Sequence, residues 1–439
     1  MELRHRDTAR IDESRLKQIG SGLIPYLRHL GELAQESEYT AHESSIFLPF
    51  DGDVLSSVDT LARSLGGKGL RSIVVVGIGG SSMGTRAIYD ARLGYFDAIE
   101  RERSPKMFFL EDANPVFLDR VLSMLLGAKS PEEFLVNVIS ESGKTLETAA
   151  NVGALLSQLE KRFGGAARER LVVTTKGGSS LEGEAMKRGI SVLVVPQRVG
   201  GRFSVFSPVG LFPLALAGLD IKGLRTGAQE MRDRCLSKDF LTNPAAVSAA
   251  LRFLHYQEGK LTNVNFFFDP ELESLGGWLT QLIAESVGKE RDIDGKEIRG
   301  GITPITSIGS RDLHSLGQLY FGGPRDKFTA FVKSTGGSSN AESEGTISSD
   351  AFTFLPELSG KTVAGVKEAL FQGARTAYRS VGLPYMDIEL GGTDESSLGA
   401  FMQFAMIEVM CLAYLMRVNA FDQPAVELYK EEARKALGL

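Results

Sequence analysis

Ser72-Ile-Val-Val-Val-Gly77-Ile-Gly-Gly-Ser-Ser82 is a short apolar run that ends in small and hydroxyl-bearing residues. A buried strand of this kind that leads into a helix exposes backbone N–H groups, hydroxyls and the positive end of the helix together. That combination binds a phosphate group. Dinucleotide-binding folds begin in the same way, so the rest of the chain has to decide between the two.

The same strand-then-helix pattern recurs along the chain. Near-continuous apolar runs separated by segments with helical spacing indicate a parallel sheet that is covered on both faces. In the first half the runs lie at 73–76, 107–110, 134–139, 171–174 and 192–195. In the second half strands are expected at 264–268, 302–308, 328–332 and 385–389. The sequence therefore predicts an α/β protein with two doubly wound parallel sheets.

Length and pattern together predict the domain organisation. A chain of 439 residues is too long for one ordinary hydrophobic core. We expect an N-terminal helical segment at 1–40, a first α/β domain at 41–220, a second at 221–420 and a C-terminal helix at 421–439.

Composition limits the classes of partner. The chain has 49 Lys and Arg against 55 Asp and Glu, a net charge of −6 that argues against nucleic-acid binding. Only two cysteines occur, Cys235 and Cys411, and they form no CxxC pair, which favours a reducing cytoplasm. The most hydrophobic stretch, 399–416, contains Gln403 and Glu408, which indicates a buried core helix rather than a membrane span.

The sequence matches two nucleotide-binding motifs only in part. A dinucleotide fingerprint has glycine at its first, third and sixth positions; Gly77 and Gly79 fit, but the sixth residue is Ser82. The segment 143–145 resembles the end of a P-loop, yet the required earlier glycine is Val138, in the middle of a strand. We therefore expect no nucleotide cofactor.

A second hydroxyl-rich segment, Ser140-Glu-Ser-Gly-Lys-Thr145, also follows an apolar run and leads into a helix. A lone Ser or Thr at such a point is usually a helix cap. Two such segments at strand ends of one domain favour a shared site that holds a phosphate without transferring it. The sequence thus points to a phosphorylated metabolite whose chemistry takes place elsewhere on the molecule.

Arg202 and Glu285 are the first candidates for that chemistry. Arg202 lies in Gly200-Gly-Arg-Phe-Ser204, where flanking glycines let a ligand approach and a guanidinium can stabilise an oxyanion. Glu285 and Gln281 are four residues apart and share one helix face. That carboxylate is either a structural partner or a base with a tuned pKa, and the pattern alone leaves both open.

His314 and Lys430 are weaker candidates. His314 lies in Asp312-Leu-His-Ser315 after an apolar run, and no two histidines have the spacing of metal ligands, so we expect no metal site. Lys430 lies seven residues after Gln423, about two helical turns along one face, where a lysine is usually just solvated.

Taken together, these segments resemble the phosphoglucose isomerase family, in the right order and over most of the chain. The Gly-Gly-Arg-Phe-Ser block and the Phe421–Lys430 block are specific to that family, whereas the serine-rich loops are shared with sugar-isomerase (SIS-type) domains generally. The compact length resembles the shorter bacterial branch. The resemblance implies two SIS-type domains and the reversible isomerisation of D-glucose 6-phosphate and D-fructose 6-phosphate in glycolysis and gluconeogenesis, through a cis-enediol and without a cofactor.

The resemblance also implies a role for each candidate residue. Glu285 corresponds to the base, Arg202 to the group that steadies the enediolate, and His314 and Lys430 to the groups that assist ring opening. Members of the family are homodimers in which this histidine completes the partner's active site. The implied substrate-binding residues are Gly80, Ser81, Ser140, Glu141, Ser142, Thr145, Gly201, Gln281 and Gln423.

Two departures and two alternatives stay open. Glu141 stands where longer members have lysine, and Ala425 where glycine is usual; a backbone N–H at Glu141 could still serve the phosphate. A bifunctional isomerase that also accepts mannose 6-phosphate would have the same residues. A non-catalytic sugar-phosphate sensor would keep the serine-rich loops but would not need the four catalytic candidates together.

Overall fold

A computed structural model describes residues 1–336, 345–348 and 354–439 of the chain, in which two five-stranded sheets are surrounded by helices. The strands are β1 (Glu2–Arg4), β2 (Ser72–Val76), β3 (Lys106–Leu110), β4 (Phe134–Ile139), β5 (Leu171–Lys176), β6 (Ser191–Val195), β7 (Thr262–Phe267), β8 (Lys289–Arg291), β9 (Glu297–Gly300), β10 (Thr303–Ile308), β11 (Lys327–Ser334) and β12 (Tyr385–Leu390). The helices are α1 (Glu13–Leu33), α2 (Gly52–Leu65), α3 (Met83–Arg92), α4 (Pro115–Leu126), α5 (Leu146–Phe163), α6 (Ala166–Glu169), α7 (Ser180–Lys187), α8 (Pro208–Leu216), α9 (Ile221–Cys235), α10 (Pro244–Gln257), α11 (Glu273–Val287), α12 (Arg311–Ser315), α13 (Gly317–Gly322), α14 (Val363–Ser380), α15 (Glu395–Met416) and α16 (Glu427–Ala436).

The first sheet is wholly parallel, in the order β3-β2-β4-β5-β6. Every residue of β4 is buried, as expected for a strand with helices on both faces. The five strands predicted for the first half of the chain are confirmed, each with bounds within two residues of the apolar run.

The second sheet has the order β1-β12-β11-β7-β10. Its last four strands are parallel and match the four predicted for the second half. Strand β1 pairs antiparallel with β12, although the N-terminal segment was predicted to be helical. Three residues, Glu2-Leu-Arg4, are too short to carry a strand pattern, and only the free edge of β12 makes them one. The domain boundaries at residues 40, 220 and 420 stay a prediction.

Helix α15 is buried in the core, as its two polar residues predicted. Among the described residues it is the one helix long and apolar enough to cross a membrane, but 83% of its most hydrophobic 18-residue window is buried inside the fold. Gln403 and Glu408 are both fully buried. Glu408 accepts a hydrogen bond from Arg252 Nε on α10 at 2.8 Å. This ion pair satisfies a charge that would otherwise be costly to bury.

The parallel arrangement gathers several loops at one edge. Because β2, β4, β5 and β6 run in the same direction, the segments 77–82, 140–145 and 200–204 that follow three of them meet beyond the carboxyl ends of the strands. Helix α11 packs against α3, which begins just after the first of these segments. The residues predicted to carry the chemistry on α11 are therefore brought to the same edge.

Candidate active site

Glycines allow the first and third of these loops to touch. Residues Gly79–Ser81 form a short 3-10 turn, and Gly79 has a φ of +60°, in the left-handed region that favours glycine. A Cβ on Gly80 would overlap the main chain of Gly201 and Arg202. This close approach fixes the turn that carries Arg202 against the loop that follows β2.

The loops after β2 and β4 carry several hydroxyl groups, and we call four of them, Ser81, Ser140, Ser142 and Thr145, the hydroxyl cup. The hydroxyl oxygens of Ser140 and Thr145 are 2.9 Å apart and share a hydrogen bond. Ser142 Oγ accepts from the backbone N–H of Lys144 at 3.2 Å. Thr145 immediately precedes α5, but its side chain caps no N–H of that helix. Helix capping therefore does not account for the threonine.

Glu141 lies between the hydroxyl cup and the Arg202 turn. Its Oε1 accepts from Lys176 Nζ at 2.7 Å. Its Oε2 is 3.4 Å from the position that a Cβ on Gly201 would occupy. Ser81, Glu141 and Gly201 line one small cavity, so one member of the cup lies beside the Arg202 turn.

Arg202 is the centre of a hydrogen-bonded cluster. Its side chain is only 3% exposed, and burial lowers the pKa of the guanidinium while the Glu285 carboxylate acts in the opposite direction. All five of its N–H groups have acceptors. They are Ser286 Oγ at 2.8 Å, Glu285 Oε2 at 3.2 Å, Gln423 Oε1 at 2.8 Å, Asp422 O at 3.3 Å and Ala420 O.

Glu285 is held at both carboxylate oxygens. Gln281 Nε2 donates to Oε1 at 3.0 Å from one turn earlier on α11, and Arg202 donates to Oε2. The Glu285 side chain is 34% exposed, in contrast to its guanidinium partner. The carboxylate is therefore fixed in orientation while one side stays open to a ligand, which is the geometry a general base needs.

Ser286 and Lys289 were missed by the sequence reasoning. Buried Lys289 donates to the main-chain oxygens of Glu285, at 2.8 Å, and of Asp422, and its Nζ is 3.1 Å from Asp422 Oδ1. Burial lowers the pKa of this ammonium group. It ties the end of α11 to the segment that carries Gln423. Its position four residues after Glu285 was the available signal.

His314 and Lys430 are not joined to this cluster within the described chain. His314 is exposed on α12, after the edge strand β10. Lys430 Nζ donates to Glu427 Oε1 at 2.6 Å on α16, a helix with no buried residue. The structure thus brings Arg202, Glu285, Gln281 and Gln423 together and leaves these two residues outside.

Within residues 1–336, 345–348 and 354–439, no group of three or more His, Cys, Asp or Glu side chains is placed to hold a metal ion. The candidate site is instead a buried cation, a half-exposed carboxylate and a set of hydroxyls. These groups can accept and return a proton, stabilise a developing oxyanion and bind a phosphate.

Comparisons with known proteins show the family of the chain. The family model described as phosphoglucose isomerase matches residues 57–438. A probable glucose-6-phosphate isomerase of Methanococcus maripaludis is 32% identical over 370 residues, which cover 84% of this chain and 79% of that protein.

Two solved structures are similar over nearly the whole chain. A hypothetical protein of Thermus thermophilus has a TM-score of 0.86 and 30% identity, and the alignment covers 99% of each chain. A glucose-6-phosphate isomerase of Chlamydia trachomatis has a TM-score of 0.77 and 21% identity, covering 98% of this chain and 87% of that one. The second likeness shows the fold alone.

Proposed function

The chain belongs to the phosphoglucose isomerase family and interconverts D-glucose 6-phosphate and D-fructose 6-phosphate, and we propose that Glu285 is the base of this reaction. The observation that carries the assignment is the pairing of a half-exposed carboxylate with a buried guanidinium, Glu285 with Arg202. The direct test of the activity is a coupled assay that supplies fructose 6-phosphate and follows the formation of glucose 6-phosphate.

One carboxylate is sufficient for the carbon chemistry. Glu285 takes the proton from C2 of the open-chain aldose and returns it to C1 of the resulting cis-enediol, so the base ends as it began. Gln281 and Arg202 hold its two oxygens. The fixed carboxylate can thus serve both carbons from one position, without a change of rotamer.

Arg202 stabilises the negative charge that develops on the enediolate oxygens. Its Nη1 donates to both Glu285 and Gln423, so a substrate oxygen can take the place of one acceptor while the other keeps the guanidinium in place. A buried cation stabilises such a charge strongly because little water screens it.

The hydroxyl cup binds the 6-phosphate, together with the backbone at Gly80 and Glu141. The hydrogen bond between Ser140 and Thr145 marks two hydroxyls that are already oriented toward each other. A phosphate oxygen that lies beside both would accept a hydrogen bond from each of them.

Ser140→Ala combined with Thr145→Ala is expected to raise KM for fructose 6-phosphate by roughly 100- to 10,000-fold with little change in kcat, because each of the two lost hydrogen bonds to a charged group contributes about 1.5–3 kcal/mol. Thermal shift with 6-phosphogluconate, which carries the same phosphate, measures the binding independently. If this ligand stabilises the double variant as strongly as the wild type, the phosphate site lies elsewhere.

We assign ring opening to His314 and Lys430, in a homodimer in which His314 enters the partner's active site. Two observations support a contribution from another chain. His314 is exposed, and α16 with Lys430 has large apolar side chains in solvent, Leu428 at 70% and Tyr429 at 60% exposure. A two-fold interface makes the exchange reciprocal, so each chain lends one histidine and receives one.

Mixing Glu285→Ala with His314→Ala chains is expected to restore activity. In a mixed dimer one pocket receives both defects and the other neither. Random reassortment makes about half of the dimers mixed, with one intact pocket in two, so about a quarter of wild-type activity should return. The measurement is the coupled assay after co-refolding. No gain over either variant alone would place both residues in the same chain's pocket.

Specificity and location complete the proposal. Supplying mannose 6-phosphate to the coupled assay tests the alternative of a bifunctional isomerase, since the C2 epimer differs in the orientation of one hydroxyl.

We propose a cytoplasmic location, supported by two buried free cysteines, Cys235 and Cys411. We propose a sugar phosphate as the partner, rather than nucleic acid or a membrane.

A further inference from the structure

A carboxylate lies beside the proposed phosphate site. Glu141 follows Ser140 directly, and its side chain lines the same small cavity as Ser81. A phosphate monoester carries a charge of about −1.5 to −2 at neutral pH, so a fixed negative neighbour opposes its binding. Either the carboxylate moves when the phosphate binds, or a nearby cation compensates it.

Arg202 is not a free cation for this purpose. All five of its N–H groups have acceptors on α11 or in the segment 420–423. Lys144 belongs to the loop of the cup, but its side chain is exposed and makes no ion pair within the described chain. Lys176 is a third cation near the cup, and it is paired with Glu141 itself.

The register of the sheet places Lys176 at the cup. Strands β4 and β5 are parallel neighbours in which Ile139 is opposite Thr174. Continued two residues beyond the end of β4, this register brings Glu141 level with Lys176, and the two side chains form an ion pair. Thr175 Oγ1 also donates to the main-chain oxygen of Ser140 at 2.7 Å, which holds the end of β5 against the cup.

The Lys176 ammonium can donate further hydrogen bonds. Among the residues that the structure describes it makes one ion pair, to Glu141 Oε1 at 2.7 Å, whereas an ammonium can donate three hydrogen bonds. Its side chain is 24% exposed, so a ligand can reach it. An ammonium on a flexible stem can exchange one anionic partner for another with little change in the backbone.

We propose that Lys176 is the side chain that neutralises the 6-phosphate of the substrate, and that Glu141 holds its ammonium beside the cup until the phosphate displaces the carboxylate. The inference rests on the proposed phosphate-binding role of the hydroxyl cup. It gives a reason for the acidic residue in the loop: the lysine stays oriented and neutralised between turnovers. Lys176 contributes to substrate affinity and not to proton transfer.

The affinity for 6-phosphogluconate, measured by calorimetry, tests the lysine. Lys176→Met is expected to raise Kd, and KM for fructose 6-phosphate, by roughly 10- to 100-fold with kcat within about threefold. Lys176→Arg, which keeps the charge, should recover most of the loss. The matched control is Lys144→Met, in the loop of the cup, for which we expect less than about a threefold change. An unchanged Kd in Lys176→Met, or a large loss only in Lys144→Met, overturns the assignment.

Glu141→Gln tests the displacement. Removing the competing carboxylate is expected to tighten 6-phosphogluconate binding several-fold, whereas weaker binding overturns this part of the proposal. The double variant Glu141→Gln with Lys176→Met separates direct binding from simple neutralisation of Glu141. Wild-type affinity in the double variant would mean that Lys176 only cancels the carboxylate; continued weak binding supports direct contact.

Failure of this inference can be told apart from failure of the proposed phosphate site. If Ser140→Ala with Thr145→Ala weakens 6-phosphogluconate binding and Lys176→Met does not, the phosphate binds at the cup and the assignment of Lys176 is wrong. If neither change affects the Kd, the phosphate binds elsewhere on the molecule. Thermal melting of each variant without ligand checks that the fold is retained.

Discussion

Glu285→Gln is expected to lower kcat for isomerisation in both directions by roughly 100- to 10,000-fold, the range that general acid–base catalysis contributes. The amide keeps the size of the carboxylate but cannot accept the C2 proton. Binding should survive, because the hydroxyl cup is untouched, so the Kd for 6-phosphogluconate should stay close to the wild-type value.

The structure indicates how the amide would be accommodated. Gln281 Oε1 is buried and has no hydrogen-bond partner among the described residues, while Gln281 Nε2 donates to Glu285 Oε1. A flip of the Gln281 amide would let it accept from a glutamine at position 285, and the oxygen of that glutamine could still accept from Arg202. We therefore expect the fold and the thermal stability to be retained.

Exchange of the C2 hydrogen with solvent is the direct measurement for Glu285→Gln. The matched control is Glu273→Gln, on the first turn of the same helix, where the carboxylate is exposed and paired with Arg311 at 2.8 Å. That change should leave kcat and exchange unaltered. Wild-type exchange in Glu285→Gln would rule out this carboxylate as the base.

Arg202→Lys is expected to lower kcat by roughly 100- to 1,000-fold, the cost typical of losing one oxyanion-stabilising donor. The charge is kept, but an ammonium has three donors where the guanidinium uses five, and they do not form a planar fork. Acceptors such as Ser286 Oγ and Ala420 O would lose their donor, so the segment with Gln423 would also lose its anchor. The loss should appear mainly in kcat, because the enediolate charge exists only near the transition state.

A second buried arginine provides the control for Arg202→Lys. Arg225 on α9 donates to the main-chain oxygens of Pro49 and Asp51, at 2.9 and 2.8 Å. Arg225→Lys should lower Tm about as much as Arg202→Lys does, while leaving kcat unchanged. If Arg202→Lys instead raised KM at constant kcat, Arg202 would be a phosphate ligand and not a stabiliser of the enediolate.

The sequence by itself determined the fold class and the family. Apolar runs without alternation predicted nine parallel strands, and all nine occur within two residues of the expected bounds. Such strands are buried on both faces, so each one is a continuous apolar run that can be recognised in the local sequence without knowledge of its partner strands. The block around Arg202 and the one ending at Lys430 likewise identified the family, because they are contiguous in the chain.

The tertiary structure decided the contacts that make a site from these segments. Arg202 contacts Glu285 only because the close approach of Gly80 and Gly201 brings the loops after β2 and β6 together beside α11. The strand β1 depends in the same way on a free edge almost four hundred positions away, at Ile388 and its neighbours. The Glu141–Lys176 pair follows from the register of β4 on β5. None of these contacts has a local signature, because each depends on where a distant segment of chain packs.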